Sequence, residues 1–381
     1  MQNHTTKQVS GNNDKSKPVL AVLVKQTYSI NKDGTCALAD EQLPLAEDVV
    51  MYSHNNAILQ ADLDVYVQKN YTDVVIKGSA KNYDNAPQFV AEIIVGKIRH
   101  TMAVQGNQKA YLDDRNKIRF SEIEKVETVP LRYDFAYGGK DIEAEKQMQM
   151  PPAELLASLP DINLYADSPF RYPRNPEGKG YLVEKSKAMI EQLEIPNLQD
   201  PEHLLTPENI LVGDFNRWIE MPLPYATDWV NPAWVPRIIY TGLIEFPHSK
   251  IAGLKEIEKR WVELNLYDKK NPAKDFNYRF FNGGHYALQT AFDNPVRECT
   301  LINIHPTNKK FTIKLPNVRP KIWVDGRKGT LKETIPVMHS IVIEPDENRL
   351  SIVWCGRAPA LRPYFYEELK TMPFKVEWEG K

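Results

Sequence analysis

The sequence predicts a mainly β protein, a β-rich α+β chain whose antiparallel sheets form sandwich- or barrel-like layers around a long proline-rich loop region with a few short helices. Three observations predict it. Short β-branched runs bounded by Gly, Asn and Asp recur towards both ends of the chain. In several of them apolar and polar residues alternate with a period of two. Proline stands at 28 of 381 residues, where average usage would give roughly 19, and proline is kept out of helix interiors and central strands.

Residues 1–18 hold too few apolar side chains to offset the entropy of ordering, so a disordered tail is expected there. Residues 19–130 form an N-terminal β-rich region. Pro18 leads into VLAVLVKQTYSI, and Asn31-Lys-Asp-Gly34 before TCALA is a hairpin signal, because Gly supplies positive φ between two apolar runs. LDVYV from Leu63 and DVVIKG from Asp73 read as further strands. In FVAEIIVGKIRHTMAVQG, from Phe89, the residues Ile98, His100, Met102 and Val104 share one face, and Gly96 marks a bulge or bend.

Residues 131–250 read as a loop-rich middle region with short helices, AELLAS from Ala153 and VEKSKAMIEQLE from Val183. Two Asn-Pro steps, Asn175-Pro176 and Asn231-Pro232, turn each Asn away from helix. Residues 251–360 begin with an amphipathic helix, Leu254, Ile257, Trp261 and Leu264 on one stripe, and continue as a C-terminal β-rich region. Its strands are CTLINI, KFTIKL, KIWVDG, TIPVMHSIVI and RLSIVWCG, with Pro345-Asp-Glu-Asn348 turning between the last two. Residues 361–381 are a C-terminal extension. The regions are expected to pack as one or two compact domains.

Forty-eight basic residues against 50 acidic ones give a net charge of −2, which argues against a nucleic-acid partner. Three distant cysteines, Cys36, Cys299 and Cys355, form no CxxC pair and read as reduced, buried thiols. The first residues lack an apolar signal core, and the run Val19 to Val24 is far short of a membrane span, so a soluble, cytoplasmic protein with no membrane partner is expected. The eight histidines never fall at i, i+4, no GxSxG elbow occurs, and Gly178-Lys179-Gly180 lacks the rest of a P-loop. No catalytic, metal or cofactor site is therefore expected. The sequence does leave open an enzyme with a carboxylate pair across a cleft, such as a carbohydrate-active β protein.

Two glycine-rich segments stand out: Leu131-Arg-Tyr-Asp-Phe-Ala-Tyr-Gly-Gly139, and Arg174-Asn-Pro-Glu-Gly-Lys-Gly180. Paired glycines permit positive φ or a close approach of another chain, so the segments are either structural turns or a recognition surface. Arg132, Tyr133, Asp134, Tyr137, Gly138, Gly139, Asn175, Pro176, Gly178, Gly180, Pro236 and Arg237 are the candidate loop residues. Arg132 and Asp134 are expected to pin loop backbone through charge-assisted hydrogen bonds. Six aromatic residues of the middle region are candidate partner anchors: Tyr172, Tyr181, Trp218, Tyr225, Trp229 and Trp234. Two or three of them are expected to be exposed.

The order LRYDFAYGG, NPEGKGY, IPNLQDP, then PLP with WVPR and Gly242, resembles the family called domain of unknown function 2169 (DUF2169). Arg279-Phe-Phe-Asn282, LINIHP, IWVDG and IEPDENRLSIVWCG agree, so the resemblance spans roughly residues 19–357. Two departures stand out. Phe135 occupies a position that is usually arginine in the family, and Gly283 to Gln289 replaces a more polar run. The resemblance implies an accessory protein of the type VI secretion system. Such a protein would be an adaptor or chaperone that helps load a toxic effector, often one with a PAAR-type tip domain, onto the VgrG spike. A purely structural component of that apparatus is the other reading.

Overall fold

A computed structural model describes residues 4–13, 15, 17–147, 170–213, 215–241 and 276–379. In chain order its first strands are β1 (Thr5–Asn12), β2 (Pro18–Ile30), β3 (Cys36–Leu38), β4 (Val50–Tyr52), β5 (Asn55–Ala61), β6 (Thr72–Ile76) and β7 (Ser79–Lys81). Next come β8 (Gln88–Val95), β9 (Ile98–Gln105), β10 (Ala110–Leu112), β11 (Ile118–Phe120), β12 (Thr128–Pro130), β13 (Tyr137–Gly138), β14 (Lys179–Gly180) and β15 (Leu198–Gln199). The last are β16 (Gln289–Thr290), β17 (Glu298–Ile302), β18 (Lys310–Lys314), β19 (Arg319–Val324), β20 (Lys332–Glu333), β21 (Val337–Glu344), β22 (Arg349–Pro359) and β23 (Phe374–Glu379). The described helices are short: α1 (Ile142–Gln147), α2 (Lys187–Gln192), α3 (Val235–Ile238) and α4 (Tyr366–Leu369).

Two sheets make the main body. One runs β1-β2-β22-β21-β6-β16, with β3 also on β2; the other runs β15-β9-β8-β17-β18. Neither closes into a barrel. Their facing sides share one apolar core, in which Leu20, Val22 and Val24 of β2 meet Ile93 of β8, Leu301 of β17 and Ile313 of β18. Burying each such side chain is worth about 1.5–3 kcal/mol. The first sheet is apolar on its outer side too, because Ala21, Leu23, Val353 and Cys355 lie beneath Leu45, Val65 and Val67. A strand buried on both faces reads as a continuous apolar run, which is why VLAVLV shows no alternation.

The hairpin at Asn31 to Gly34 forms as the sequence predicts, with Gly34 at φ +80° between β2 and β3. Pro345–Glu347 is a 3-10 turn closed by Asn348 at φ +50°, linking β21 to β22. Three expectations are corrected. Residues 5–12 are not a disordered tail: they form β1, paired along its length with β2. The sequence hides this strand because it is a polar edge, tied down by a turn in which Asn13 Oδ1 accepts from the amides of Lys15 and Lys17. LDVYV is an extended cover rather than a strand. Its Asp64 accepts from Lys25 Nζ and from the amide of Ala46. Gly96, at φ +59°, ends one strand and opens the next, so β8 and β9 form a hairpin.

Described residues between 137 and 238, joined by Ala110, build a second apolar cluster around Tyr137, Tyr172, Tyr181, Ile190 and Trp218. VEKSKAMIEQLE forms α2, capped by the Ser186 hydroxyl. The helical patch from Ala153 and the stripe of Leu254, Ile257, Trp261 and Leu264 lie outside the described residues. Where the described chain breaks off and resumes, its ends are hydrogen-bonded to each other: Asp141 N donates to Phe170 O, Tyr172 N to Gly139 O, and Asn277 N to Tyr240 O. No helix among the described residues is long and apolar enough to cross a membrane.

Candidate partner-binding surface

The two glycine-rich segments, forty residues apart in sequence, meet in space. Tyr137 and Gly138 of β13 pair in parallel with Lys179 and Gly180 of β14. Asn175 clamps the junction: its buried side-chain amide donates to Tyr133 O (2.7 Å) and Tyr137 O (3.1 Å), and its own carbonyl accepts from Gly139 N (2.9 Å). Gly138 sits at φ +149° with Asn175 O only 2.1 Å from where a Cβ would stand. Gly139 sits at φ +111° with Gly178 O at 2.7 Å from its own Cβ position. The glycines are there because two backbones touch, and Pro176 is buried beside them. Asp141, also fully buried, accepts from the amides of Ala144, Val183 and Glu184, which fastens the next turn.

Side chains stand outward from this knot. Arg132 donates through Nε and Nη2 to the two oxygens of Asp134, at 3.0 and 2.8 Å. The pair is satisfied side chain to side chain, which corrects the expectation that these residues pin loop backbone. Partial burial works against the Asp134 charge, but the hydrogen bonds and charge of Arg132 outweigh it and hold the carboxyl below the usual range. The guanidinium lies over the rings of Tyr52 and Phe135, at 5.1 and 5.2 Å, and Lys179 Nζ lies 5.0 Å from the Phe135 centroid. The tip of the β4–β5 hairpin adds His54, half-exposed, with Nε2 3.4 Å from Asp134. Glu177 accepts from Asn55 Nδ2 (2.9 Å) and pairs with Lys140 (2.8 Å).

Beneath this face Tyr52 donates its hydroxyl to the buried Asp228 at 2.8 Å. Desolvation pushes the Asp228 carboxyl up to about 6, against the pull of Lys77 and of the hydrogen bonds from Trp229 N and Tyr52. The arrangement offers fixed charges, hydrogen-bonding groups and aromatic faces to a molecule laid across it. Among the described residues no group of three or more His, Cys, Asp and Glu could hold a metal ion.

The remaining candidates go elsewhere. Arg237, on α3 beside the half-buried Pro236, is buried in a structural network, donating to Asp62 (2.9 Å), to the carbonyls of Val230 and Phe280 and to Tyr66. A second buried pair, Lys69 with Asp73, is completed by Asn282 and the amides of Gly283 and Gly284. Of the two readings given for these loop residues, structural or recognition, Arg237 takes the structural one as an internal brace.

The aromatic anchors are corrected too. Tyr172, Tyr181, Trp218, Trp229 and Trp234 are all buried, and only Tyr225 is half-buried, its ring stacked on His100 at 5.0 Å. Tyr172 gathers Tyr137, Tyr181 and Trp218 around itself, and Trp234 stands edge-on to Tyr133. A region with so little sheet needs its own filling, and large rings supply it. Sequence reasoning missed Tyr52, His54, Asn55, Glu177 and Asp228. The one signal for the first three was the turn-forming run Ser53-His54-Asn55-Asn56 between two short apolar stretches.

A two-sheet sandwich whose middle region is knotted by glycine–asparagine contacts and topped by a polar, aromatic face defines the class of this molecule. Residues 15–355 match the model of the family described as "Uncharacterized protein conserved in bacteria (DUF2169)", and the chain belongs to that family. No curated protein and no solved structure matches the chain.

Proposed function

We propose that this protein is a non-catalytic adaptor of a type VI secretion system, which binds a toxic effector, often PAAR-containing, and helps load it onto the VgrG spike. The observation that favours it is the knot itself. Two of the segments that carry the family resemblance are spent on fixing a surface, with Asn175, Gly138 and Gly139 holding the backbone and Arg132, Phe135, His54 and Lys179 displayed on it. A surface held rigid before binding loses little entropy on binding, which suits a protein whose effect comes from contact energy alone.

The test is co-purification and delivery in the native cell. The tagged chain should elute with a toxin and a spike protein, and deleting the chain should lower toxin level or delivery. Unchanged toxin level and unchanged delivery would end the reading. Within the complex, His54→Ala, at a half-exposed position of the same surface, should weaken toxin capture while the thermal midpoint stays near that of the parent.

A further inference from the structure

A cleft of about 610 Å³ opens at the end of the sandwich, away from the residues assigned above. Three extended segments wall it, residues 292–297, 315–319 and 335–338, and Trp354 of β22 lies at its floor. Its volume is in the range of ligand sites. We propose that this cleft binds an extended segment of a partner polypeptide in which aliphatic side chains alternate with carboxylates. The proposal deepens the adaptor reading, on which the choice of a polypeptide partner rests.

Four features carry it. Ile335 is 83% exposed, the highest value among the large apolar residues of the described chain, and it stands on one wall; a partner's aliphatic group would remove that surface from water. Trp354 is 8% exposed, and its indole N–H is buried with no partner among the described residues. Arg297 and Arg319 stand exposed on two different walls. Among the described residues neither makes an ion pair, and Arg319 donates only to Pro336 O, at 2.7 Å. Guanidinium groups free of carboxylates are matched by a partner's Asp or Glu, and the paired geometry is strong. Asp293, on the same wall as Arg297, repels a carboxylate at its end of that wall, which limits how an acidic segment can lie. Finally, each wall carries one proline, Pro295, Pro316 and Pro336. Proline fixes φ and removes a donor, so the walls are stiff before anything binds. Walls of four to six residues suit a strand-like peptide, which rises about 3.3 Å per residue, better than a compact molecule.

The test uses the full chain and two fluorescein-labelled peptides, Glu-Leu-Pro-Leu-Asp-Leu and Lys-Leu-Pro-Leu-Lys-Leu, titrated by fluorescence anisotropy. The acidic peptide should bind about tenfold or more tightly than the basic one, a difference that shrinks with added salt. Arg297→Glu with Arg319→Glu, and separately Ile335→Ser, should each weaken it about tenfold. All three positions are exposed, so thermal midpoints should stay near the parent's. Equal binding of the two peptides, or parent affinity in both variants, overturns the proposal. So does saturable binding of 8-anilinonaphthalene-1-sulfonate that depends on Ile335 and is not displaced by the acidic peptide, which would mark a small-molecule site. Co-purification separates the two readings. If a toxin elutes equally with the parent and with the double arginine variant, the cleft proposal falls and the adaptor stands. If no toxin elutes with the parent, the adaptor falls and the titration alone decides the cleft.

Discussion

The sandwich and the middle region bury backbone in opposite ways. In the sandwich, ladders pair the strands, as between β2 and β22 over eleven positions, and the side chains between the sheets are almost all apolar. Among the described residues of 131–241 ladders are only two residues long, and polar side chains take their place: Asn175 bonds two carbonyls, Asp141 three amides, and Gln199 the amide of Leu205. Every buried backbone group needs a partner in either case. The difference is that ladders tolerate exchange of one apolar residue for another, whereas a side chain that serves two or three backbone groups admits almost no substitute.

The sharpest test of that contrast is Gly138→Val. The new Cβ would meet Asn175 O and hold an unfavourable φ, so a loss of more than about 3 kcal/mol, or failure to fold, is expected in urea titration. Asn175→Ala comes next. It strips the carbonyls of Tyr133 and Tyr137 of a donor inside the protein and should cost about 2–4 kcal/mol, while Ile313→Val in the sandwich should cost about 1 kcal/mol. If Asn175→Ala and Ile313→Val unfold at the same urea concentration, the two regions do not differ as described.

A pH series sharpens the comparison further. Asp228, raised to about 6, keeps its proton in the folded protein between roughly pH 4 and 6 while the unfolded chain has lost it. Its contribution is therefore complete below about pH 4 and fades as pH rises through 6. His100, lowered to about 4 by burial, behaves oppositely: its contribution is complete above about 6.5 and fades as pH falls towards 4. The two slopes oppose each other in the parent. Asp228→Asn removes only the first, so its cost relative to the parent should shrink by about 2 kcal/mol between pH 4.5 and pH 7. A cost that is the same at both pH values would contradict the burial of a protonated Asp228. The smallest effect belongs to the surface. His54→Ala, at a half-exposed pair with Asp134, should change stability by less than about 1 kcal/mol.

The same contrast explains what could be read in advance. Phe311, Ile313 and Leu315 announce β18 and its extension by alternation, and all three are buried. Gly138 and Gly139 could be read as backbone positions because few other residues explain a Gly-Gly pair after Tyr137. What could not be read was which way the rings of Tyr172 or Trp229 point, since a tryptophan in a proline-rich stretch suits a hot spot and a small core equally. β1 escaped notice because an edge strand needs few apolar residues, and the face of Tyr52 and His54 because its members come from separate hairpins and turns.

The hydrogen bonds at Gly139–Tyr172 and at Tyr240–Asn277 have a consequence for how this chain can vary. Each joins two chain positions far apart in sequence, so the entropy of bringing them together is met by the folded body and grows only slowly with the number of residues between them. A change in the number of residues between either pair therefore carries only a small closure cost, about 0.6 kcal/mol for a doubling.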